Sequence, residues 1–174
     1  MPSAYTKIAN FTVPTTSADS IVFSNIPQTY KHLMIQVLWR QYQSTSTWGF
    51  LSISDVAGST ASNLYNQYVR WLGGGLNTDT QVGNNMNLFY FNAEGNTSGF
   101  FGTGTLFIPD YTNSSKYKTI WYTSTKNDTA DNTYAGMGGY GTGQLDQNKA
   151  VTSITFSNGA VAGSQITLYG LSDQ

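Results

Sequence analysis

The stretch Leu33-Met34-Ile35-Gln36-Val37-Leu38-Trp39-Arg40 decides the fold. Leu33, Ile35, Val37 and Trp39 recur at every second position, while Gln36 and Arg40 fall on the opposite side. Successive side chains of a strand point to opposite faces, so this alternation predicts a strand with one buried face. Ile21 with Phe23, and Ile166 with Leu168, repeat the pattern in shorter runs. Segments 5–13, 48–54, 65–72, 86–92, 101–109, 117–126, 133–140 and 151–157 are rich in Thr, Tyr, Phe, Trp, Val and Ile, which favour pleated surfaces. Turn signals stand between the runs: Ser24-Asn25, Gly73-Gly74-Gly75, Glu94-Gly95-Asn96, Pro109-Asp110 and Asn158-Gly159. Residues 27–32 and 60–67 have room for a turn or two of helix, and neither carries an extended 3.6-residue period. Roughly ten short strands with little helix imply an all-β sandwich or barrel. No linker or fixed-period repeat divides the chain, so residues 1–174 are expected to form one domain.

The composition narrows the function. Of 174 residues, 39% are apolar, 14% aromatic and only 10% charged, against about 25% charged in an average soluble domain. The chain is long enough to bury a core without disulfides or metals, and too aromatic for a disordered segment. Ser, Thr, Asn and Gly supply the missing polarity, as in β-rich proteins that present neutral surfaces to neighbours. Few Lys and Glu also means little side-chain entropy to lose when such a surface is covered. The net charge is −1 and the eight Lys and Arg are scattered, which argues against a nucleic-acid partner. Cys is absent, so disulfides and thiolate chemistry are excluded. No apolar run reaches bilayer length, and Met1-Pro2-Ser3-Ala4-Tyr5-Thr6-Lys7 lacks a signal-peptide pattern. A soluble product with no membrane partner is expected.

Catalytic and metal-binding patterns find little footing. His32 is the only histidine and sits beside no G-x-S-x-G elbow, so a partly exposed loop-to-strand histidine is expected over a triad base. The acids, Glu94 and eight aspartates, fall almost entirely in loops, where Asp bonds nearby backbone N–H groups. Asn127-Asp128-Thr129-Ala130-Asp131-Asn132 gathers oxygen ligands suited to a hard cation. It lacks the Asp-x-Asp-x-Asp-Gly spacing and distant Glu of a calcium loop, so a solvated turn is expected. In Gly136-Met137-Gly138-Gly139-Tyr140-Gly141-Thr142-Gly143, no Lys-Ser/Thr follows as a phosphate loop requires. The run reads as a flexible strand end or a place where backbones approach closely. Sequons at Asn10, Asn96, Asn113 and Asn127 are what an Asn-, Ser- and Thr-rich chain produces by chance. No catalytic residue, cofactor or metal is expected, and the chain is read as no enzyme.

Aromatics offer the remaining site candidates. Trp39 belongs to the apolar face of its strand and reads as core. Trp48, Trp71, Trp121, Tyr134 and Tyr140 are candidates for partial exposure. Exposed aromatics with Asn and Asp partners suit sugar binding, and aromatics also dominate protein interfaces. An interface or core role is favoured, with a glycan contact left open.

Four segments together resemble a known family. They are Tyr5-Thr6-Lys7-Ile8-Ala9-Asn10-Phe11-Thr12-Val13, then Phe23-Ser24-Asn25-Ile26-Pro27-Gln28-Thr29-Tyr30-Lys31-His32-Leu33-Met34-Ile35, then Ile108-Pro109-Asp110-Tyr111, and finally Leu168-Tyr169-Gly170-Leu171. The polar turn Asn113 through Lys118 follows the third of them. Their order is similar to that of small virion proteins of tailed bacteriophages, which occur as free-standing chains or as modules of tail and fibre proteins. The shared elements are an opening strand, "F-x-x-I-P-x-T-Y-x-x-L-x-I", a middle "I-P-x-Y" and a closing "L-Y-G-I/L". Residues 40–100 are less distinctive. The resemblance implies a jelly-roll-like antiparallel β-sandwich and carries over no active site. It also implies a decoration or cement protein on the outer capsid surface, bound to capsid subunits and to copies of itself, with a trimer as the expected assembly. Such a protein would reside on the phage particle after synthesis in the host cytoplasm. The alternative is a receptor- or carbohydrate-binding module of a tail fibre or baseplate. The domain begins near Met1 and ends near Leu171, leaving no room for a shaft, so decoration is the expected role.

Overall fold

The computed structural model describes residues 5–15, 18–42, 48–54, 64–72, 75–83, 86–90, 92–93, 99–126, 137–145 and 148–172. Its strands are β1 (Tyr5–Thr12), β2 (Ala18–Phe23), β3 (His32–Gln41), β4 (Trp48–Ser54), β5 (Leu64–Leu72), β6 (Gly75–Gly83), β7 (Met86–Tyr90), β8 (Asn92–Ala93), β9 (Gly102–Ile108), β10 (Lys118–Lys126), β11 (Met137–Leu145), β12 (Ser153–Ala160) and β13 (Gln165–Leu171). The described residues contain no helix. Strands pair antiparallel in two sheets, except that β8 runs parallel to the end of β3. The large sheet has the order β1-β13-β3-β9-β10-β11-β5-β6, and the small one β2-β12-β4-β7.

The period-two faces meet between these sheets. Leu33, Ile35, Val37 and Trp39 of β3 are buried beside Leu106 and Ile108 of β9 and Ile166 and Leu168 of β13. Ile21 and Phe23 of β2 and Ile154 and Phe156 of β12 supply the small sheet's share. Full burial of one such side chain contributes about 1.5–3 kcal/mol, so this layer is the main stabilising term. The chain changes sheet at each of its first four connections and again after β6, β7, β11 and β12. Two hairpins depart from that alternation. β5–β6 follows β4, and β10–β11 follows β9; both join the large sheet and extend it beyond β9.

Several expectations need correction. The strand expected at 133–140 lies at Met137–Leu145, with 133–136 outside the described residues. Its glycines form the interior of a strand hydrogen-bonded on both sides, and close approach explains Gly141. A Cβ on Gly141 would collide with the Tyr122 ring and hydroxyl and stand 2.7 Å from the Gln67 carbonyl oxygen. β6 was hidden behind the Gly73-Gly74-Gly75 turn signal; Gly75 opens the strand by pairing with Leu72. Residues 28–31 are bends and His32 opens β3, while 64–67 belong to β5 and 60–63 lie outside the described residues, so no helical turn forms among the described residues of either segment. Asn158-Gly159 does not separate strands; it lies where the register of β12 slips between Ser157 and Ala160. Segment 86–92 divides into β7 and β8.

Candidate functional site

Two features compete for a functional role: an interlocked end of the sandwich and the outer face of the large sheet. At the first, segments 27–32, 110–111 and 170–171 converge. The phenol of Tyr111, fully buried, donates to the Pro27 carbonyl oxygen. The Tyr30 ring lies against the backbone of Gly170, where any Cβ would overlap its carbons. Lys31 N donates to Leu171 O at 2.9 Å, and Val151 N to Tyr111 O at 2.9 Å. Asp110 adopts φ 46°, a left-handed value uncommon outside glycine, and its N–H donates to His32 Nδ1 at 3.0 Å. His32 is thus half-buried and holds a turn, as the loop-to-strand expectation had it.

The 110–118 loop is closed by a buried cation. Asn113 Oδ1 accepts from Ser115 N (2.8 Å), Ser115 Oγ (2.9 Å) and Lys116 N (3.1 Å). Lys118 Nζ donates to the Asn113 and Lys116 carbonyl oxygens, the latter at 2.8 Å. Burial pushes the Lys118 ammonium below its ordinary 10.5, with Asp110 opposing the shift. Folding therefore binds fewer protons than unfolding just below pH 10.5, and this residue's contribution to stability rises with pH there and falls as pH drops. The expected result is that unfolding free energy of the wild type, relative to Lys118→Met, rises as pH is raised toward the ordinary lysine value of 10.5. Denaturant titrations of both proteins at each pH check it; parallel curves would refute the assignment.

The outer face of the large sheet is different in kind. Across it, in register, run Tyr169, Met34, Phe107, Trp121, Thr142, Gln67 and Thr80. The neighbouring row reads Thr167, Gln36, Thr105, Thr123, Tyr140, Val69 and Thr78. The rings of His32 and Phe107 lie 5.5 Å apart, and those of Phe107 and Trp121 5.8 Å apart, both pairs tilted. Trp121 and Tyr140 are 55% and 56% exposed, an unusual degree for large rings on a strand centre. They flank one groove of about 330 Å³ with Thr105, Thr123 and Thr142. A second groove of about 610 Å³ lies beyond Tyr140, walled by Gln67, Val69, Thr78 and Thr80. A third, of about 350 Å³, runs over Gln36, Thr103, Thr125, Gln165 and Thr167.

Of the five aromatic candidates, Trp121 and Tyr140 are brought together, from adjacent strands. Trp48 and Trp71 lie on β4 and β5, paired with Tyr90 and Gly138, and their side chains fall outside the described set. Tyr134 and the 127–132 oxygen-rich turn also lie outside the described residues. Phe107 was not singled out from the sequence, although it shares Trp121's strand parity relation through pairing. Among the described residues no group of three His, Cys, Asp or Glu is arranged to hold a metal. No described helix is long and apolar enough to cross a membrane. No family model, curated protein or solved structure matches the chain.

Proposed function

We propose that this chain is a non-enzymatic structural protein of a tailed-phage particle, a jelly-roll sandwich that decorates and cements the outer capsid surface. Its main support is the meeting of Pro27 and Tyr30, Asp110 and Tyr111, and Gly170 and Leu171 at one end of the sandwich. The residues that carry the resemblance hold one another, as those of a shared scaffold would. The strand order supports the jelly roll. With the two inserted hairpins and β8 set aside, the remaining strands, renumbered in sequence, read 1-8-3-6 and 2-7-4-5. That is the pairing produced by folding one long antiparallel ribbon over itself.

The surface chemistry suits attachment to a preformed shell. A surface poor in Lys and Glu loses little side-chain entropy when it is covered. Binding assembled capsid in preference to free subunits stabilises the shell by linkage. Copies would close around a local symmetry axis, as homo-oligomers commonly do, and a trimer is the proposed form. The test mixes purified protein with capsids lacking it and with isolated tails, and images both. Regular density on the shell, with the shell surviving higher temperature, is the expected outcome. Binding to tails or host cells with bare capsids would replace decoration by a receptor-binding role.

A further inference from the structure

We propose that the outer face of the large sheet binds a neutral, flat, β-1,4-linked hexopyranose chain laid across the strands, with Trp121 and Tyr140 as its stacking platforms. The three grooves are one track. The central groove shares Thr105 and Thr123 with the groove on one side, and Tyr140 and Thr142 with the groove on the other. Its length covers the strands from β13 to β6, about 29 Å at about 4.8 Å per strand.

The walls select the ligand's chemistry. Among the described residues no Asp, Glu, Lys, Arg or His lines any of the three grooves, so these walls offer neither an anionic nor a cationic ligand a counter-charge. Two half-exposed rings sit on neighbouring strands, diagonal to each other through the Thr123–Tyr140 and Trp121–Thr142 pairs. Rings presented this way offer carbon faces to the C–H faces of equatorially substituted sugars, with polar edges left over. Threonine hydroxyls and glutamine amides stand between and beside the rings, each able to donate and accept, as sugar hydroxyls require.

Spacing selects the linkage. Strands repeat about every 4.8 Å, close to the advance per sugar in an extended β-1,4 chain. Successive sugars therefore meet successive strands in step, which a coiled α-1,4 chain would not do. The inference is independent of where the protein resides, since it concerns the isolated chain.

The test uses the purified full chain with cellohexaose, and with maltohexaose as the coiled counterpart, followed by saturation-transfer and chemical-shift titration. Cellohexaose is expected to bind and maltohexaose to bind at least about tenfold more weakly. Trp121→Ala and Tyr140→Ala are each expected to weaken binding about tenfold, and Thr123→Val, which keeps the shape and removes a hydroxyl, by a smaller factor. Tyr117→Ala, exposed but outside the track, should leave affinity unchanged. Absence of cellohexaose binding, equal binding of maltohexaose, or affinity indifferent to both ring variants overturns the proposal. So does self-association that Trp121→Ala abolishes, which would give this face to a second copy of the chain.

Discussion

Replacing Gly170 by valine is expected to destabilise the protein by about 3 kcal/mol or more, lowering Tm by about 6–12 °C. Gly170 lies on β13 between Thr6 and Leu33 of the neighbouring strands, on the same inward parity as Ile166 and Leu168. Its missing side chain is the space that the Tyr30 ring fills, and the atoms a Cβ would strike include the ring's first carbon, next to the main chain. That carbon moves only by rotation about χ1, which carries the whole ring out of its place over Gly170, while the Lys31 N to Leu171 O bond holds the neighbouring backbone where it is. Gly170→Ala should already cost about 1–3 kcal/mol by overpacking. Combining it with Tyr30→Ala should cost less than the two changes summed, by about 1 kcal/mol or more. Strict additivity in a double-mutant cycle would show that the ring and the glycine do not meet.

The second large effect is at Tyr111. Its side chain is among the largest fully buried ones and ties the 109–112 turn to Pro27. Tyr111→Ala is expected to cost about 3–5 kcal/mol, the range for removing a buried aromatic. Tyr111→Phe keeps the packing and strands the Pro27 carbonyl, at about 1–3 kcal/mol. Burial raises the phenol above its ordinary 10.0. Because the folded value lies above the unfolded one, the contribution is complete below pH 10 and lost as pH climbs through the folded value. Unfolding followed in denaturant should show an alkaline loss in the wild type that is smaller in Tyr111→Phe. Coincident alkaline limbs would locate that loss elsewhere.

Legibility in the sequence followed the source of each element's conformation. β3 was plain because Leu33, Ile35, Val37 and Trp39 are bulky, apolar and at strict period two. β6 was not, because Asn77, Thr78, Asp79, Thr80 and Gln81 include turn-favouring types whose extended form comes from pairing with β5. The glycines of β11 concealed a strand for a similar reason: two neighbours impose it. Lys118 and Lys126 were missed as buried groups, although their parity with Ile120 and Tyr122 held the signal. The same parity marked Trp121 as outward. That Tyr140 stands beside it depends on cross-strand register, which no local pattern encodes.

The hairpin formed by β5 and β6 enters the large sheet only through β11, whose residues lie far later in the chain. During synthesis it therefore emerges before its one neighbour in the sheet and waits on the order of several seconds for Met137–Leu145 to appear. A truncated product ending before Met137 would carry this hairpin with an unpaired edge on each side, a ready nucleus for edge-to-edge aggregation. Slow codons between the two hairpins would lengthen that exposure, and a ribosome that hurried across them would shorten it.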